Sequence, residues 1–89
     1  MTIDFTPRAW AEYTALQRDR QQLKRVNALL ADIRRTPFGG IGKPEPLKHQ
    51  LTGYWSRRID QDNRLIYRIY TDATDVEHCE VLQCAGHYT

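Results

Sequence analysis

Eighty-nine residues suffice for one domain, 1–89, and leave no room for a second core. A 40% hydrophobic content with two Trp, five Tyr and two Phe excludes a disordered chain, and no apolar run approaches the ~20 residues of a membrane span. Net charge is +2, yet residues 1–71 hold all thirteen Lys and Arg against seven acidic residues, while residues 72–89 hold four acidic residues and neither Lys nor Arg. The basic body suits a polyanionic partner such as RNA, or is simply a solvated surface. The opening Met1-Thr2-Ile3-Asp4-Phe5 does not resemble a signal peptide, so a cytoplasmic protein with reduced Cys79 and Cys84 is expected.

The first predicted element is a short strand, from the alternation of Ile3 and Phe5 with polar residues. Thr6-Pro7 then opens a helix, with Thr6 as cap and Phe5 and Trp10 as a hydrophobic staple. Trp10, Tyr13 and Leu16 share its inner face. Asp19 followed by Gln22 marks the start of a second helix, whose apolar stripe is Leu23, Val26, Leu30 and Ile33. Arg34 and Arg35 suit its C-terminal end, and Pro37 stops it. Both stripes read as core.

Residues 37–46, PFGGIGKPEP, form a constrained loop. Residues 54–59, 64–70 and 76–84 read as strands, with turn chemistry at 60–63 and 71–75. The order strand, helix, helix, three strands implies an α+β fold, with two helices on one face of a mostly antiparallel sheet. Alternation puts Leu65, Tyr67 and Ile69 on the helix-covered face and Arg64, Ile66 and Arg68 on the open one. Trp55 and Ile59 belong to the core, which leaves Arg58 near Arg64. That open face is either a basic platform for a phosphate backbone or a charged solvated surface.

Three residues can do proton or phosphate work. Glu45 lies between Pro44 and Pro46 and is a candidate general base, or else an ordinary surface carboxylate. Arg64 opens a strand whose other face is core, and its planar guanidinium matches a phosphoryl group. His87 titrates near neutrality and is a candidate general acid. The spacing of His78, Cys79, Cys84 and His87 fits no zinc pattern, and on one strand the two cysteines would face opposite sides; no metal or cofactor is expected. Gly39-Gly40-Ile41-Gly42-Lys43 lacks the spacing of a phosphate loop.

The stretch RRTPFGGIGKPEPLKHQLTGYWSRRIDQDNRLIYRI, residues 34–69, resembles the YoeB/Txe toxins of the RelE superfamily, and the W-x-x-Y and L-x-x-V-N helices are similar too. The resemblance covers almost the whole chain. It implies a ribosome-dependent mRNA interferase held inactive by a YefM-type antitoxin, with a homodimer left open and operator DNA bound only through the antitoxin complex. It implies Glu45 as general base, Arg64 as the phosphate-contacting arginine, His87 as general acid, Tyr88 against the substrate nucleotide, and Lys48 and Arg58 as RNA contacts. The end departs from the family pattern: Ala85 and Gly86 precede His87, a Thr89 follows Tyr88, and the stretch between Arg64 and His87 is longer. Gly86 is expected to loosen His87. The alternative is a non-catalytic RNA- or ribosome-binding module using Arg57, Arg58, Arg64 and Arg68.

Overall fold

The computed structural model describes residues 1–87. Strand β1 (Thr2–Phe5) leads into helix α1 (Pro7–Ala15) and helix α2 (Arg20–Arg35). Strands β2 (Glu45–Pro46), β3 (Trp55–Arg58), β4 (Arg64–Thr71) and β5 (Glu77–Gln83) follow. The sheet order is β1-β5-β4-β3-β2, with β1 parallel to β5 and every other pair antiparallel. Ala9, Leu16, Val26, Leu29, Leu30 and Ile33 from the helical segments pack on Leu65, Tyr67, Cys79 and Val81 from the sheet. The expected α+β arrangement is therefore what forms, with both helices on one sheet face.

Local chemistry sets the helix boundaries. Thr6 Oγ1 accepts from the Ala9 N–H (3.1 Å) and donates to the Leu82 carbonyl (3.1 Å), so the cap also ties α1 to β5. Asp19 accepts from the Gln22 N–H (3.1 Å) and starts α2. Trp10 departs from the expected core: it is 53% exposed and rests against Phe5 and Tyr13 with ring centroids 5.5 and 5.9 Å away. Helix α1 turns its fully buried Ala9 toward the core, and Trp10, next in sequence, lies about 100° round the helix at the margin of that face.

Two features of the sheet escape simple alternation. Glu45 and Pro46, expected in a loop, form a two-residue edge strand opposite Ser56 and Trp55. In β5, Val81 faces Tyr67 while Gln83 faces Ile66, so Leu82 is an extra residue. This bulge reverses the parity of the chain beyond it. Cys79 and Cys84 consequently share the helix-covered face, contrary to the expectation of opposite sides, and Cys84 Sγ donates to the Ala9 carbonyl (3.5 Å). Ile66, placed correctly on the face away from the helices, is nevertheless fully buried there, between Ser56 and Gln83.

The guanidinium of Arg57 occupies the core face and is fully buried. It donates to Asp32 Oδ2 (2.6 Å), the Tyr67 hydroxyl (3.1 Å) and the carbonyls of Thr36 (2.6 Å), Gly39 (2.6 Å) and Ile41 (3.0 Å). Asp32 also accepts from the Ile41 N–H (2.9 Å) and from Arg35 (2.9 Å). Arg57 above all holds its carboxyl down at about 2. Arg57 is thus unavailable to phosphate, and one of the four arginines proposed for a passive RNA-binding face drops out.

At the other end of the sheet, His78 Nδ1 lies 2.7 Å from Asp4 Oδ2 and Nε2 lies 2.6 Å from Asp72 Oδ2. Tyr70 stacks on the ring at 4.8 Å. A carboxylate at each nitrogen favours the doubly protonated ring, and the Asp72 hydrogen bond is the main force raising its pKa.

Arg57→Met leaves the Asp32 carboxylate and three carbonyls without their donor. It should cost about 3–5 kcal/mol, lowering Tm by more than about 10 °C for a domain of this size, measured by thermal melting. The His78 contribution has the opposite pH sense to that of a buried carboxylate. It is fully present below the ordinary histidine value of 6.5 and is lost as pH rises through the raised folded value. Melting across pH 5–9 should show this loss in wild type, and His78→Gln should flatten it.

Candidate active site

The hydrogen-bond register assembles the site. Glu45 pairs with Ser56, Ser56 with Ile66, and Ile66 with Gln83, so these four residues form one row across the sheet face away from the helices. Arg58 and Arg64 oppose each other directly in the next row on that face. Glu45 and Arg64 thus lie two strands and one row apart, about 12 Å between backbones, a span that accommodates a ribose and its phosphate.

Each candidate is held by a different device. Glu45 sits in edge strand β2 between two prolines, and the strand is anchored by the Leu47 N–H donating to the Tyr54 carbonyl (2.9 Å). Residues 45–51 line a cleft of ≈ 390 Å³. Lys48 stands exposed in that cleft, just before His49 turns through a left-handed conformation (φ 58°). Arg58 is exposed beside Arg64, with its N–H on the Gly42 carbonyl (2.7 Å). Arg64 is half-buried, and its Nη1 donates to the carbonyls of Asp60 (3.0 Å) and Asn63 (3.3 Å). Among the described residues, its Nε and Nη2 donors carry no further hydrogen bond, which leaves a two-donor edge for an anion.

The chain end returns to this row. The Arg64 N–H donates to the Gly86 carbonyl (2.8 Å), and Gln83 Nε2 donates to the carbonyls of Ala85 and Gly86 (3.1 Å each). Gly86 takes φ +77°, which glycine adopts without strain, and its N–H donates to Asn63 Oδ1 (2.7 Å). His87 follows, exposed, one residue beyond the Gly86 carbonyl that is bonded to Arg64. Gly86 thus supplies a tight bend whose backbone is bonded on both sides, immediately before the exposed His87. Tyr88 lies outside the described residues. Gln83 and Asn63, which knit this corner together, were read from sequence only as strand and turn residues; the sole signal was an Asn beside the candidate arginine.

The chain matches the family described as "YoeB-like toxin of bacterial type II toxin-antitoxin system" over residues 5–88. It is 48% identical over 89 residues to Toxin YoeB of Streptomyces coelicolor, with 99% of this chain and 100% of that one covered. Among solved structures it is similar to the YoeB/ParE toxin from Agrobacterium tumefaciens (TM-score 0.92, 42% identity, 99% and 100% coverage). It is also similar to the YoeB dimer from Staphylococcus aureus (TM-score 0.86, 41% identity) and the heterotetrameric YoeB–YefM complex from that organism (TM-score 0.83, 41% identity), with 99% of this chain and 98% of that chain covered in each case.

The cysteines belong to the core rather than to the site. Burial pushes both thiols up to about 12, so neither supplies the thiolate that a nucleophile or metal ligand requires. Among the described residues, no group of three or more His, Cys, Asp or Glu side chains is arranged to hold a metal ion. Cys79 and Cys84 should react with an aromatic disulfide reagent far more slowly in the native protein than in denaturant. Fast native labelling of either one would show that the core opens there.

Proposed function

The chain belongs to the YoeB-like toxin family of bacterial type II toxin–antitoxin systems, and on that footing we propose that it is a ribosome-dependent endoribonuclease that cuts translated mRNA and stops protein synthesis. The supporting observation is the convergence of three separate chain segments on one corner of the open sheet face: Glu45 from the edge, Arg64 from β4 and His87 from the chain end.

In this reading the Glu45 carboxylate takes the proton of a ribose 2′-hydroxyl. The 2′-oxygen attacks the adjacent phosphorus, and the bond from phosphorus to the 5′-oxygen breaks. Arg64 offers its two-donor edge to the phosphoryl oxygens, whose negative charge grows as the oxygen attacks. His87 delivers a proton to the departing 5′-oxygen, and the products are a 2′,3′-cyclic phosphate and a 5′-hydroxyl. Lys48, in the cleft, and Arg58, beside Arg64, hold neighbouring phosphates. Tyr88, next in the chain, packs on the substrate nucleotide. The chemistry needs a base, a cation and an acid, all of which side chains supply, so no cofactor is invoked.

The partner assignments extend from the relatives. The Staphylococcus aureus structures are of a YoeB dimer and a YoeB–YefM complex. We assign this chain a YefM-type antitoxin, a homodimeric form, and contact with operator DNA through the antitoxin complex alone. Action on ribosomes places it in the cytoplasm. No helix among the described residues is long and apolar enough to cross a membrane.

The test is single-turnover cleavage of ribosome-bound mRNA by variants confirmed as folded. Arg64→Ala should slow cleavage by ~10²–10³, and Arg64→Lys should not restore it, because an ammonium lacks the guanidinium fork. Glu45→Ala should lose ~10²–10⁴. Cleavage should persist with chelators of zinc and transition metals that leave Mg²⁺-stabilised ribosomes intact. Wild-type cleavage by Glu45→Ala would remove Glu45 from the role of base, and absence of cleavage by the wild-type protein would leave the non-catalytic binding module.

A further inference from the structure

The turn between β3 and β4 contains an asparagine whose side chain and backbone together bond the residue before His87, the Asp60 carboxylate and the Arg64 guanidinium. Asn63 Oδ1 accepts from the Gly86 N–H at 2.7 Å, one residue before His87. Its Nδ2 donates to both carboxylate oxygens of Asp60, at 2.9 and 3.1 Å. Its main-chain carbonyl accepts from Arg64 Nη1 at 3.3 Å and from the Ile59 N–H at 3.0 Å. Asp60 is itself fixed to helix α2, because its Oδ2 accepts from Gln22 Nε2 at 2.8 Å. A continuous chain of contacts thus runs from α2 through Gln22, Asp60 and Asn63 to Gly86.

We propose that Asn63 is a positioning residue for phosphodiester cleavage, locking the backbone that carries His87 to the turn that carries Arg64. This rests on the endoribonuclease reading above. An acid and a transition-state cation on different chain segments must keep their separation to within a fraction of an ångström, and a 1 Å misplacement can cost ~10²-fold. Gly86 is the hinge between them. Its backbone adopts positive φ without strain, so nothing intrinsic to the glycine selects one conformation. The selection comes from outside: the Arg64 N–H on its carbonyl and the Asn63 amide on its N–H. The residue type is specific. Position 63 must accept from Gly86 and donate to a carboxylate at once. A short amide does both, whereas an aspartate would set a second carboxylate against Asp60.

The test measures single-turnover cleavage against ribosome concentration, together with amide hydrogen exchange at Gly86 in the free protein. Asn63→Ala should lower the maximal rate by on the order of 10- to 100-fold while the half-saturating ribosome concentration stays put, and Gly86 exchange should accelerate. Asn63→Asp should be slow as well. The exchange of roles in Asp60→Asn/Asn63→Asp restores one donor and one acceptor, with Gln22 turning its amide, and should recover most of the rate. The proposal is overturned if folded Asn63→Ala cleaves at the wild-type rate, if only half-saturation changes, or if the double variant is no faster than Asn63→Asp. Should wild type itself fail to cleave, the endoribonuclease reading falls. Gly86 exchange in Asn63→Ala then decides the positioning contact alone, and unchanged protection sinks it.

Discussion

A guanidinium with no solvent contact is the constraint around which the rest of the molecule is arranged. Burying Arg57 without partners would be prohibitively costly, and the chain meets that demand with the Asp32 carboxylate, the Tyr67 hydroxyl and carbonyls from the segment following α2. That segment must therefore turn inward and present its carbonyls at defined places. Gly40 and Gly42, both at positive φ, make the turns; a side chain at Gly40 would collide with the Asp32 carboxylate. The path fixes where the chain emerges at β2, and hence where Glu45 stands. Among the described residues no buried side-chain nitrogen or oxygen lacks a partner, so the network meets the condition under which a buried ion pair is tolerated.

Much of this was legible from residue patterns. Thr6 and Asp19 advertised the helix starts, the Val26–Leu30–Ile33 spacing the inner face of α2, and the alternation in 64–70 the two faces of β4. The role of Arg57 was not. Its parity with Trp55 and Ile59 placed it on the core face, yet its charge suggested the surface, and only a distant Asp32 on α2 reconciles the two. The bulge at Leu82 was also invisible, because it is a property of how β5 pairs with β4 and not of β5 alone. Glu45, Arg64 and His87 were candidates by residue type, each beside an ordinary surface reading, and the family resemblance tipped the balance. Their convergence depends on register across four strands, which no local window contains.

Charge is sorted along the sheet as well as through it. The acidic residues late in the sequence do not dilute the Arg58–Arg64 corner. Glu80 is taken by Arg68 (2.7 Å) and Asp72 by His78 (2.6 Å), both toward the opposite end of the face. Arg68 also lies over Tyr70 at 4.5 Å, so this end is an internally matched cluster of ions and rings. The uneven charge of the sequence thus becomes a gradient in space, with Arg58 and Arg64 side by side at one end of the face and the late acidic residues toward the other. Such a gradient orients a polyanion before contact is made.

The short edge strand has a consequence for assembly. An exposed strand normally invites another chain to add to the sheet, and such addition at β2 would lay foreign backbone alongside Glu45. Two of the three residues from Pro44 to Pro46 lack an N–H, and β2 runs for only two residues. Too few donors remain there to template a ladder. The prolines that stiffen Glu45 also make its edge a poor seed for aggregation, so the sheet ends at the carboxylate and stays a surface onto which only a differently shaped partner can dock.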